Sequence, residues 1–234
     1  MMTDSTAGGR KRSLGEERLV QMDWPASLER EYNFCRRDAA SAIESMASVC
    51  RDAWETGLMR GFNGNMSLRI GEGTAKDVLL VTGTGVAKGH MSSASLALSD
   101  LEGNHLAGCR LSSEMPMHAA VYAQRPETRS VLHVHPAHLL ALSLRCREHK
   151  ERFLEMPLLE SGIWKKAVAS VPFYPNGSRE LGLAVGEAFA APCIRAVFME
   201  GHGLCAVGST GAEALSICEE LEHMAKIQLL AAWH

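Results

Sequence analysis

The chain is short of several things, and each shortage narrows the reading. No apolar run in its 234 residues approaches the ~18 needed to span a bilayer as a helix, so a membrane partner is not expected. The amino terminus has no signal-type apolar region, because Arg10, Lys11 and Arg12 are followed by more charge. The seven cysteines are odd in number, scattered, and never spaced C-x-x-C. That argues against a disulfide frame or zinc ribbon and for reduced thiols in a cytoplasmic protein. A formal net charge of −3, with no long basic run beyond the first dozen residues, makes nucleic acid a poor partner. Neither a G-x-x-x-x-G-K-[ST] loop nor a G-x-G-x-x-G fingerprint occurs, so no nucleotide cofactor is expected. Tyrosine is scarce: only Tyr32, Tyr122 and Tyr174.

What is present suits one soluble α/β domain: 46% hydrophobic residues in a chain long enough to bury a generous core. Residues 1–28 are polar and poorly periodic and read as a disordered leader, leaving 29–234 as the domain. From Arg36 to about Gly57, Ala40, Ile43, Met46, Ala47, Cys50, Ala53, Trp54 and Leu58 recur at three- and four-residue spacing, as on an amphipathic helix. The turn GFNGN opens into a strand MSLRI, DVLLVTG forms the next, and Leu96–Leu98 with DLEGN suggests a hairpin. Further on, the pattern predicts a helix from Pro136 to Arg145, a strand near Phe153–Met156, a helix over Ser178–Ala190, a strand RAVFMEGHG and a last helix over Gly211–Trp233. Mixed elements without strict βαβ alternation predict a three-layer α/β/α sandwich around a largely antiparallel central sheet.

The stretch from Ser112 to His135 organises the chemistry. Residues two apart on a strand share a face, so His133 and His135 can grip one ion while Leu132 and Val134 turn away. A cupin also carries His-x-His but expects a glutamate shortly downstream; the next carboxylate here is Glu148, beyond a helix. The third ligand is read as His202, between Gly201 and Gly203, where small flanking residues allow close backbone approach. Three neutral imidazoles leave one position open on a zinc ion, as in catalytic sites. Glu114, Ser112 and Ser113 stand at a helix start, where an acid and two hydroxyls often serve only the helix. The functional reading gives them a phosphate cradle beside a carboxylate facing the metal. His118 and His138 read as supporting or packing residues. GFNGNMS and TGTGVAKG add Asn65, Thr84, Gly85 and Lys88 as candidate phosphate contacts, although glycine-rich turns are commonly turns alone.

Taken in order, GNMS, TGTG, SSE with PMHAAVY, HVH and GHG resemble the class II aldolase/adducin family, over about Arg36 to Trp233. The RPETRSVLHVHPAH stretch is most similar to the bacterial fuculose-phosphate aldolase branch. The resemblance implies zinc on His133, His135 and His202, with manganese, cobalt or iron as substitutes, and Glu114 as acid/base. It also implies a substrate phosphate held by Asn65, Thr84, Gly85, Ser112 and Ser113, and a homotetramer with active sites between subunits. The implied activity is cleavage of a ketose 1-phosphate to dihydroxyacetone phosphate and an aldehyde, through an enediolate that zinc stabilises. Relatives on the same scaffold epimerise, dehydrate or decarboxylate sugar phosphates, and adducin-type heads have lost the metal histidines and serve as interaction modules.

The chain departs from the aldolase branch in two places. That branch carries a tyrosine in the loop after the HxH helix and another in a carboxy-terminal tail; this chain has ERFLEMPLLESG in the loop and ends at His234. Glu155 and Glu160 are the loop's alternative acids, and a different proton donor or a different reaction stays open.

Overall fold

The computed structural model describes residues 22–32 and 34–231. Its framework is one eight-stranded sheet: β1 Asn65–Ile70, β2 Val78–Thr82, β3 Leu96–Ser99, β4 His105–Gly108, β5 Ser130–Val134, β6 Val168–Val171, β7 Ala196–Met199 and β8 Gly203–Gly208. The spatial order is β4-β3-β2-β1-β5-β8-β7-β6, and every neighbouring pair is antiparallel except β6 with β7. The helices are α1 Ala26–Glu31, α2 Arg36–Glu55, α3 Met115–Gln124, α4 Ala137–Arg145, α5 Leu159–Trp164, α6 Arg179–Ala188 and α7 Gly211–Ala231. The leader expected over 1–28 falls mostly outside the described residues; within it, Met22 and Trp24 are buried.

Two apolar cores, one on each side of the sheet, make the three layers. On one side Ile43, Met46 and Cys50 of α2, Leu139 and Leu142 of α4 and Leu221 and Met224 of α7 pack on Met66, Leu68, Leu80, Leu132 and Val134. On the other, Met117 and Val121 of α3 and Leu181 and Val185 of α6 pack on Leu79, Val81, Val131 and Val197. Alternate side chains of each central strand therefore enter different cores. Glu222 ties α7 to α4 by accepting the His138 and Leu139 amides (3.0 and 2.9 Å) and the His138 ring N–H at 2.7 Å. That engages the His138 ring with α7 rather than with the other histidines of interest.

Strand β1 shows how a polar alternation can be buried. MSLRI alternates apolar and polar residues, and all of β1 is buried because helices cover both faces. Asn65, Ser67 and Arg69 share the α3 side and are satisfied there by side chains. Arg69 donates to Asp77 at 2.7 Å and to the carbonyls of Pro126 and Thr74. Burial acts to raise the Asp77 pKa, but the Thr74 amide, Arg69 and the Gly73 amide outweigh it and hold the carboxyl below its ordinary value. This contribution to stability is therefore present above the unfolded pKa of ~3.9 and lost as pH falls through the lower folded value. Asp77→Asn is expected to cost about 3 kcal/mol at pH 7 by leaving Arg69 buried without its counter-charge. Urea midpoints should show the gap between wild type and variant closing below about pH 4.

Two local expectations are corrected. Phe153–Met156 is not a strand: Leu154 has φ 56° and the segment turns, burying Leu154 and stacking Phe153 on Phe198 at 5.0 Å. The strand at that edge is β6, from a half-buried VASV segment that carries little apolar signal. RAVFMEGHG is also not one strand but β7 followed by a turn, with Gly201 at φ 69°.

Candidate active site

His202 sits in that β7–β8 turn, its amide bonded to the Met199 carbonyl at 3.0 Å. The turn delivers it over β5, because β8 is the antiparallel neighbour of β5 and Cys205 stands opposite His133. On the other flank Asn65 stands opposite His133 across β1. Two glycines make the approach possible. A Cβ on Gly203 would lie 2.4 Å from the Val134 carbonyl oxygen and 2.9 Å from a carbon of the His133 ring. Gly64, at φ 74°, has the His133 carbonyl 2.8 Å from where a Cβ would be.

The rings of His133, His135 and His202 meet with centroid separations of 4.7, 4.8 and 5.1 Å. One nitrogen from each lies within 4.8 Å of the others, the spacing of a metal-binding group. The His133 Nδ1–H donates to the Leu204 carbonyl at 3.0 Å, which fixes its tautomer and turns the Nε2 lone pair inward. That Nε2 is 2.9 Å from the Nε2 of His135. Burial, then the two neighbouring imidazoles, push the His135 pKa down to about 3, so its ring is neutral. Three closely packed rings with ring nitrogens turned toward one another fit a divalent cation between them. Identity of the ion is not written in the donor set, since imidazole suits zinc, copper, iron and nickel alike.

Glu114 completes the arrangement. It is 4% exposed and immediately precedes α3. Its Oε2 is 3.1 Å from the His133 Nε2 and its Oε1 is 3.1 Å from the His202 Nε2. Burial acts to raise its pKa, but His133 and His202 outweigh that and hold the carboxyl well below the usual range. Oε1 and the His202 Nδ1 are buried without a hydrogen-bond partner, which again fits a group not carried by the polypeptide. The carboxylate is therefore an ionised base beside the three clustered rings.

The other predicted site residues lie around this centre. Asn65 is buried and donates from Nδ2 to Glu114 Oε2 at 2.5 Å. The Thr84 amide bonds to the Arg110 carbonyl at 3.2 Å and Gly83 bridges Leu111, so the TGTG turn lies alongside the segment leading to Ser112 and Ser113. Gly85 has φ 68° with nothing within 4 Å of a Cβ position. Ser112 accepts the Glu114 amide at 3.2 Å. Both serines line a cavity of about 440 Å³ with His105 and Arg110. Free helix-start amides are not what this place offers: Pro116 has none, and the Met115 and Met117 amides bond to the Ser112 and Glu114 carbonyls. Lys88 is 2% exposed, donates to the Phe62 carbonyl at 3.0 Å, and has its pKa pulled down by burial. Of the loop acids, Glu155 pairs with Lys165 at the surface and Glu160 is exposed on α5.

Three residues around Asn65 lie within the GNMS and PMHAAVY motifs, and of these only His118 takes a role from the sequence, as a supporting or packing residue. His118 Nε2 is 2.5 Å from Asn65 Oδ1, its Nδ1 is 2.7 Å from Ser67 Oγ, and Ser67 Oγ is 3.0 Å from the Tyr122 hydroxyl. For two of them spacing adds a signal: His118 and Tyr122 follow Glu114 at successive four-residue steps, along one face of a helix.

Comparison with known families decides the lineage, since the model for the class II aldolase and adducin N-terminal domain matches residues 44–229. The chain belongs to the class II aldolase and adducin family. A 3-oxo-tetronate 4-phosphate decarboxylase of Haemophilus influenzae is 31% identical over 186 residues, 79% of this chain and 85% of the relative. The L-fuculose phosphate aldolase of Escherichia coli K12 is 30% identical over 184 residues, 77% and 79% of the two chains. Among solved structures, a sugar-phosphate aldolase from Thermotoga maritima superposes with a TM-score of 0.72 at 27% identity, covering 84% of this chain and 97% of that one. The class II aldolase fold expected from the motifs is thus the fold observed. No helix among the described residues is long and apolar enough to cross a membrane.

Proposed function

We propose that this family member is a divalent-metal lyase that cleaves a ketose 1-phosphate to dihydroxyacetone phosphate and an aldehyde. The observation that carries the reading is the ionised Glu114 carboxylate, 3.1 Å from two of the three clustered imidazoles. His133, His135 and His202 would hold the cation, zinc by preference, which supplies a Lewis acid that polarises the substrate carbonyl. In cleavage the proton lost from the C4 hydroxyl as the C3–C4 bond breaks would reach the enediolate carbon through Glu114, and in the synthetic direction Glu114 would take it back from that carbon. Asn65, Thr84, Gly85, Ser112 and Ser113 would hold the phosphate, supported by the adjacency of the TGTG turn and the Ser112–Ser113 segment. Burial of Glu114 and His133 keeps bulk water from the carbon that takes the proton.

Decarboxylation of a phosphorylated 3-oxo acid is the second reading, favoured by the 31% identity to the Haemophilus influenzae decarboxylase. Both reactions leave negative charge on a carbon next to a polarised carbonyl, so the same residues serve either. A homotetramer belongs to the proposal as well; exposed Leu144 and Phe173, lining one cavity with Gly201, support a subunit contact beside the site. A cytoplasmic location is in keeping with buried free thiols at Cys50, Cys146, Cys205 and Cys218. The test is a panel of ketose 1-phosphates and 3-oxo sugar-acid phosphates, with dihydroxyacetone phosphate and carbon dioxide followed separately. Release of dihydroxyacetone phosphate is the expected result; carbon dioxide alone would transfer the assignment to the decarboxylase reading.

A further inference from the structure

Behind Glu114 runs an unbroken chain of buried hydrogen bonds whose direction is set at one end. Tyr122, Ser67, His118, Asn65 and Glu114 are each 4% exposed or less. The Asn65 amide turns its nitrogen, Nδ2, to Glu114 Oε2 at 2.5 Å and donates there. The Asn65 oxygen then faces His118 and accepts from its Nε2–H at 2.5 Å. A His118 ring protonated on Nε2 and neutral must accept at Nδ1, so the Ser67 hydroxyl donates there at 2.7 Å. Burial pushes the His118 pKa down to about 4, in keeping with the neutral ring. The Tyr122 hydroxyl, 3.0 Å from Ser67 Oγ, donates to the Ser67 carbonyl at 3.2 Å, and its single hydrogen is shared between those two oxygens. From Glu114 to Ser67 each step follows from the one before, and none of these can be reversed alone without placing two acceptors or two donors face to face.

The weak point such a chain would protect is the Asn65 amide. Turned by half a rotation it would set a carbonyl oxygen against the Glu114 carboxylate and push it off the His133 and His202 rings. A ring that must donate from Nε2 forbids that flip. We propose that Tyr122, Ser67 and His118 are positioning residues that lock Asn65 with its N–H on Glu114 and so aim the carboxylate at the three-histidine cluster. The proposal rests on Glu114 being the acid/base. It also gives Asn65 a second task, since only one of its two amide hydrogens is left for a substrate phosphate. The bland alternative is a polar network that is merely satisfied and contributes only to folding.

The test uses the metal-loaded full chain and the substrate that turns over. Ser67→Ala removes the donor to His118 with little change in volume. It is expected to lower kcat ~10-fold, the worth of one hydrogen bond, with KM and metal content held. His118→Gln, which keeps a donor for Asn65, should retain more kcat than His118→Leu. In a Glu114→Gln background, Ser67→Ala should have no further effect, because the two changes act through one group. An unchanged kcat in Ser67→Ala, or an equal loss in both backgrounds, overturns the proposal. Full activity in Glu114→Gln instead removes the assignment of Glu114 itself. One readout needs no activity: in ¹⁵N-histidine-labelled protein His118 should carry its proton on Nε2, and should lose that preference in Ser67→Ala. A proton on Nδ1 in the wild type reverses the chain and sinks the idea.

Discussion

His202→Ala is expected to abolish tight metal binding and, with it, turnover, while leaving the fold in place. His202 is the best of the three proposed ligands to remove, because it lies in a turn and its side chain is 11% exposed. His133 is fully buried in β5, where truncation would also open a cavity. Two imidazoles alone do not make a closed set for zinc, and even outer partners of metal ligands are worth ~10–100-fold in affinity. The loss here should therefore exceed ~100-fold. Metal content after gel filtration should fall from about one ion per chain to near zero. Stability gives a second readout. A ligand at 100 times its Kd stabilises the folded state by about 2.7 kcal/mol, so a chelator should lower the wild-type Tm and leave the variant unmoved. A variant that keeps its ion would mean that the rings converge for another reason.

Glu114→Gln is expected to keep the ion and lose the chemistry. The substitution preserves size and leaves an oxygen able to accept from Asn65, so the contact at 2.5 Å can persist. What goes is the basic oxygen beside His133 and His202. General acid/base groups contribute ~10²–10⁴-fold, and kcat should fall within that range. The KM should change little, because the phosphate is assigned to the TGTG turn and the Ser112–Ser113 segment. Metal content separates this from the first prediction: it should stay near one per chain. A Glu114→Gln enzyme within twofold of wild type would show that another group moves the proton. The two variants together divide the site into a part that binds the ion and a part that handles the proton.

Several pieces of this site are legible in one dimension because they depend on local geometry. His133 and His135 share a face because a strand alternates, and the α2 and α7 patterns read correctly to within two residues at the ends that are described. Glycine-rich turns announced themselves by composition. The misreadings have one cause, a segment whose neighbours override its own pattern. VASV forms strand β6 because β7 offers it a parallel edge, not because it is apolar. Phe153–Met156 is apolar yet turns, because Phe153 finds Phe198 and Leu154 finds the core through a loop. Ser67 has no role by sequence pattern, and it finds one only because α3 covers that face of β1.

The amino-acid order alone therefore determined which side chains carry lone pairs and charge, and which of them share a strand or helix face. Strand order settled the rest. Placing β5 between β1 and β8 sets His133 beside Asn65 on one flank and brings the turn carrying His202 in on the other. It also puts α3 over that face, so that Glu114 and His118 look down on it. Periodicity acts over a few residues, whereas these distances come from packing two cores against opposite sides of one sheet, and no local pattern encodes them.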